Sequence, residues 1–295
     1  MKPIFAFLLA ILISSNMETQ AQNFKRIETE TLTLDVFNAS ENSFGVASVI
    51  ISGKTEAVLI DAQFTLADAE TVAQKIKNSG KKLTTIYVSH GDPDFYFGLE
   101  VFKRYFPEVT AYASPATIEH IKATAQKKLD VWGGRLGKAI TSNAVLPQVL
   151  PGNSIQLEGQ KIEVAGLEEF PTKTFVWIPS IKAVIGGINV FGNTFHLWMA
   201  DAQSTEARNT WISVLDKIES LHPVIVIPAH AKSESAFDLS AVRHTKRYLQ
   251  FYEEALKTNK TSESLIAALK AKYPTLTFEI ALQIGAKVNT GEMKW

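Results

Sequence analysis

Residues 84–98 read TTIYVSHGDPDFYFG, and the fold turns on how they are taken. The run 84–88 is β-branched, apolar and aromatic, as a buried strand should be. It leads without a break into Ser89-His90-Gly91-Asp92-Pro93-Asp94. Three groups able to bind a metal or move a proton, His90, Asp92 and Asp94, fall at alternate positions of a short turn. Such a turn can aim alternate side chains at one point. Asp92 and Asp94 also flank Pro93 just ahead of a helix beginning near Phe95, where an aspartate serves equally well as an N-cap or in an Asx turn.

Two further strand ends carry polar groups. Residues 224–230 (VIVIPAH) end in His230, and residues 56–61 (EAVLID) end in Asp61, which reads as a structural hydrogen-bonding residue. Around these ends, runs 31–37, 46–52 and 56–60 read as strands, followed by helices at 66–78 and 98–106, a strand at 109–113 and a helix at 115–128. The pattern then repeats: strands at 154–157, 161–164, 174–178 and 182–186, a helix at 205–221, the strand ending at His230, and helices thereafter. Two similar halves of this kind suggest two sheets packed face to face with helices outside, and strand ends are where such a fold places its site. Trp132-Gly133-Gly134 is expected to form a mobile loop. His196 lies in a loop before the helix at 205–221, either packed by Trp198 or facing a site. Trp132, Trp177, Trp198 and residues 95–97 could line an apolar cleft or fill the core. His120, His222 and His244 read as surface or packing residues.

Composition narrows the chemistry. The chain has 295 residues, 46% hydrophobic and 20% charged, which is enough apolar material for a sizeable core. Thirty basic and thirty acidic residues leave no net charge to favour nucleic acid. With no cysteine, disulfides, thiolate zinc sites and a thiol nucleophile are excluded, leaving His, Asp and Glu as side-chain metal ligands. There is no G-x-S-x-G elbow and no phosphate-binding glycine loop. Residues 3–15 (PIFAFLLAILISS) follow a basic start and precede Thr19 and Ala21, positioned for cleavage after Ala21. The run is short for a bilayer span and right for a signal-peptide core. Residues 1–21 are therefore expected to be a leader and 22–295 a single exported domain, periplasmic or secreted, with no stable membrane anchoring once the leader is removed.

On the segment 89–98, with its closing Gly98, and on Asp61 and Ala229-His230, the chain resembles the metallo-β-lactamase-fold hydrolases over roughly residues 30–235. The resemblance implies a four-layer αββα sandwich. It also implies a site made from His90, Asp92, Asp94 and His230, with departures: Asp92 stands at the family's second histidine, Phe95 at its last motif histidine, Ile188 at its bridging aspartate, and Phe170 near its third-strand histidine. What remains implies one divalent metal, zinc first, with iron or manganese as alternatives. His90, Asp92 and His230 would hold it, and Asp94 would be a further ligand or the base orienting water against a small-molecule ester, amide, lactone or phosphoester. Glu169 and His196 are candidate replacement ligands or substrate contacts. The alternative is an inactive pseudo-hydrolase, without metal, that binds a small ligand or partner through the apolar surface of Phe95 and Ile188.

Overall fold

Alternate residues of the central strands face different layers, and this sets the architecture. The computed structural model describes residues 24–295; the expected leader lies outside them. β1 (Phe24–Glu28), β2 (Thr33–Asn38), β3 (Ala47–Ser52), β4 (Glu56–Ile60), β5 (Lys82–Val88), β6 (Thr110–Ala113) and β7 (Gln148–Val149) form one sheet in that order. It is antiparallel from β1 to β4 and parallel from β4 to β7. β8 (Ser154–Leu157), β9 (Gln160–Ala165), β10 (Phe175–Ile178), β11 (Ala183–Ile185) and β12 (Ile225–Val226) form the second sheet, antiparallel except where β11 meets β12.

Val49 and Ile51 of β3, Val58 and Ile60 of β4, and Val176 and Ile178 of β10 share the core between the sheets, whereas Ile50, Leu59 and Phe175 join the core facing the helices. This is the period-2 pattern of strands buried on both faces. The helices are α1 (Leu66–Asn78), α2 (Pro93–Tyr96), α3 (Leu99–Tyr105), α4 (Pro115–Leu136), α5 (Thr205–Ser220), α6 (Leu239–Thr258), α7 (Ser262–Lys272) and α8 (Glu279–Asn289). The layers are therefore helix, sheet, sheet, helix, as the sequence suggested.

Helix starts follow local chemistry. Thr65, Ser114, Ser204, Asp238 and Thr261 each accept a backbone N–H in the first turn of α1, α4, α5, α6 and α7. One expectation fails here: Gly133-Gly134 is not a loop. α4 runs through both glycines to Leu136 and ends at Gly137, whose φ of 55° suits a residue without Cβ. Its N-terminal turns pack through Thr117, Ile118 and Ile121, while its later turns lie half-exposed over the strand ends. No helix among the described residues is long and apolar enough to cross a membrane.

Candidate functional site

Asp61 builds the platform beneath the site. Its φ is 63°, in the left-handed region that aspartate tolerates better than most residues. That conformation turns its carboxylate under the next strand end. Oδ1 accepts the Ser89 N–H at 2.7 Å and Oδ2 accepts the Ser89 hydroxyl at 2.6 Å. Ser89 Oγ in turn accepts the Gly187 N–H at 2.7 Å. The first sheet is thereby tied to the loop after β11. Burial pushes the Asp61 carboxyl up to about 7, against the lowering effect of the Ser89 bonds. Its role is structural, in keeping with the sequence reading. Gly98 is needed for a related reason: a Cβ there would fall on the carbonyl oxygen of Ala62 and 2.6 Å from the Ala69 side chain.

Above this platform the four expected ligands form two separate pairs. His90 Nδ1 lies 3.4 Å from Asp92 Oδ2, and His230 Nε2 lies 3.6 Å from Asp94 Oδ2. Phe95 stands between the pairs. Its ring meets His90 edge-on at 5.2 Å and His230 edge-on at 5.7 Å between centroids. His230 is further sandwiched by Phe191 at 4.9 Å and Phe278 at 6.0 Å, both nearly parallel to it, and its Nδ1 donates to the Phe44 carbonyl at 3.0 Å. Burial lowers the pKa of both imidazoles, to about 3 for His90 and about 4 for His230, so both are neutral near pH 7. Burial, reinforced by the charge of Asp92, raises the Asp94 carboxyl well above its usual value and disfavours its ionised form.

The residue that decides the site is one the sequence reading passed over. Lys128, on α4, places its ammonium 2.5 Å from Asp92 Oδ1, 3.1 Å from the Gly91 carbonyl and 3.0 Å from His120 Nε2. An ammonium has three hydrogens, and three polar atoms lie around it here. Burial opposes ionisation of Asp92, but its polar neighbours, with the Lys128 ammonium in direct contact, outweigh it, so its carboxyl is held below the usual range. His120, Lys128 and Trp132 follow at intervals of eight and four on one face of α4, a helical spacing that would have marked them as a set.

The residues present do not fit the metal expected from the sequence. A metal needs donors converging about 2.0–2.2 Å from one point. Among the described residues no three His, Asp or Glu side chains are arranged to hold an ion. One Asp92 oxygen, Oδ1, is taken by an ammonium. A divalent ion sharing that oxygen would sit about 3 Å from the ammonium, a repulsion on the order of 10 kcal/mol even at an effective dielectric of about 20. The replacement ligands fail too. Glu169 is exposed and lies 3.5 Å from Lys217, outside the cleft. His196 is buried in the helical layer, its Nδ1 3.0 Å from the Tyr248 hydroxyl. Ile188 does reach the site, at the cleft wall, and Trp177 does not.

A cleft of about 560 Å³ opens over these groups. Asp92, Asp94 and His230 lie at its floor, with Phe44, Trp132, Trp198 and Phe278 as aromatic walls. A second cavity of about 310 Å³ meets it at Asp92, His120, Ile188, Trp198 and Asp201, and holds Lys173. Burial lowers Lys173 to about 8, and its ammonium lies 4.4 Å from the Trp211 ring centroid.

Residues 42–180 match the family model of the metallo-beta-lactamase superfamily. Among solved structures, a metallo-beta-lactamase from Hirschia baltica is 15% identical with a TM-score of 0.56, over 77% of this chain and 97% of its own. One from Pontibacter korlensis is 19% identical with a TM-score of 0.51, over 77% of this chain and 99% of its own. The IND-7 metallo-beta-lactamase is 17% identical with a TM-score of 0.55, over 78% of this chain and 99% of its own. At these identities the likeness is one of fold. No curated protein matches the chain.

Proposed function

We propose that this chain, whose residues 42–180 match the metallo-beta-lactamase superfamily model, uses that scaffold to bind a small organic ligand without a metal ion. The observation that carries this reading is Lys128. Its ammonium supplies, from within the chain, the positive charge that the fold's strand-end carboxylates face. With that charge built in, Asp92 is neutralised, burial disfavours ionisation of Asp94, and the imidazoles on either side of Phe95 are neutral. Asp92, the carboxylate that would face an attacking water, is thereby committed to Lys128. What remains is a concave, largely apolar cleft within the size range of small-molecule sites.

Elemental analysis of the purified, tag-free protein tests this directly. The expected result is less than about 0.1 equivalent of zinc, iron or manganese, unchanged in His90→Ala and His230→Ala, with no metal-stimulated hydrolysis of p-nitrophenyl esters or nitrocefin. One equivalent of metal that disappears in either variant would overturn the reading and restore the hydrolase. We propose further that the chain is exported with residues 1–21 removed, on the strength of the apolar run 3–15 and the small residues before Gln22. Mass spectrometry of the mature N-terminus checks that cleavage.

A further inference from the structure

The charges around the cleft are unequal. Asp92 is committed to Lys128, Asp94 is buried and lies 3.6 Å from His230 Nε2, and Asp201 accepts the indole N–H of Trp295 at 2.6 Å. Facing them across the mouth are Lys127, Arg135 and Lys294, all exposed, and no carboxylate among the described residues lies within 4.0 Å of any of the three. Arg135 is held at the mouth by an aromatic face instead, its guanidinium carbon 5.2 Å from the Trp132 ring centroid. The mouth is therefore cationic with its hydrogen-bond donors unspent, while the interior is aromatic.

The walls add shape to this charge. Phe44 meets Trp132 edge-on, with centroids 5.2 Å apart and planes at 67°. Trp198 approaches the other side of Phe44 at 6.2 Å. Both indoles are half-buried, so each presents free surface to the space above Phe44. Aromatic faces favour a flat partner in offset or edge-to-face contact. A guanidinium favours a carboxylate, which it can grip through two parallel hydrogen bonds.

We propose that the cleft takes a ring-bearing apolar carboxylate, its ring between Trp132 and Trp198 and its anion on Arg135, Lys127 and Lys294. This rests on the ligand-binding reading above and names its ligand class. A neutral ring compound would fill the same walls and leave the cations solvated. A ring-bearing amine would meet them as like charges.

Tryptophan fluorescence and isothermal titration with three probes of one shape test the assignment: naphthalene-1-acetate, 2-(1-naphthyl)ethanol and 2-(1-naphthyl)ethylamine. The acetate is expected to bind about tenfold tighter than the alcohol, and the amine to bind weakest. Raising NaCl from 50 to 500 mM should weaken the acetate several-fold and leave the alcohol unmoved. Reversing the mouth in Lys127→Glu/Arg135→Glu/Lys294→Glu should abolish the preference for the anion, and Trp132→Ala should weaken acetate and alcohol alike by about tenfold. Equal affinity for acetate and alcohol overturns the anion assignment while leaving a ligand-binding cleft. Absence of binding by all three probes, or indifference to Trp132→Ala, overturns the whole inference. Stoichiometric zinc in the purified protein instead refutes the reading beneath it, and that outcome is read out separately by elemental analysis.

Discussion

Replacing Lys128 with methionine removes the ammonium and keeps most of the apolar stem, so the change isolates the charge. Each partner of the Lys128–Asp92 pair has a side chain 19% exposed. Breaking a fully buried pair costs about 3–5 kcal/mol, because a charge is left behind without a partner. An exposed pair is worth about 0–1 kcal/mol. At one-fifth exposure we expect Lys128→Met to cost roughly 2–4 kcal/mol, and at about 2–4 °C per kcal/mol for a domain of this size, Tm falls by roughly 4–16 °C. Asp92→Asn/Lys128→Met removes both charges and should recover much of the loss, with a coupling of about 1–3 kcal/mol in the double-mutant cycle. The pH dependence has a definite sign. Asp92 is depressed in the folded chain, so its contribution is present above the unfolded value of about 4 and is lost as pH falls toward its folded value. The gap between wild type and Lys128→Met should therefore narrow on acidification. Differential scanning calorimetry at pH 7 and at about pH 3, with and without EDTA, reads all of this. A Tm change below 2 °C for Lys128→Met, or a wild type that EDTA destabilises, would show that Lys128 does not hold the place of a cation.

Other perturbations have equally definite outcomes. Asp61 is raised to about 7 by burial, so its protonated form stabilises the fold below the unfolded value near 4, and that contribution, at most roughly 4 kcal/mol, is lost as pH rises through about 7. Asp61→Asn should flatten the decline in Tm between pH 5 and 8, and an unchanged slope would remove Asp61 as its source. Gly98→Ala should cost about 1–3 kcal/mol in urea unfolding, because its Cβ meets the Ala62 carbonyl, which is backbone and cannot swing aside; a neutral result would mean that the β4–α1 connection yields freely. Phe95→Ala empties a fully buried site between the two imidazoles and should cost about 3–5 kcal/mol, also by urea unfolding.

The layered architecture was legible in the amino-acid order because it follows from local rules. Continuous β-branched and apolar runs in residues 46–52 and 56–60, apolar stripes at helical spacing, and polar groups at strand ends each specify an element within a few residues. Those rules placed His90, Asp92, Asp94 and His230 at strand ends near one another, and they marked Phe95 and Ile188 as apolar intrusions. They could not say what would meet Asp92. That depended on the angle at which α4 crosses the strand ends, where its N-terminal turns pack through Ile118 and Ile121. Only this crossing brings Lys128, 36 residues along the chain, onto Asp92. Likewise, nothing local distinguishes His196, turned inward to Tyr248, from a histidine facing a cleft. Strand and helix identity is a short-range property of the chain; the charge that completes a site comes from a distant segment, and only the packed fold fixes which one.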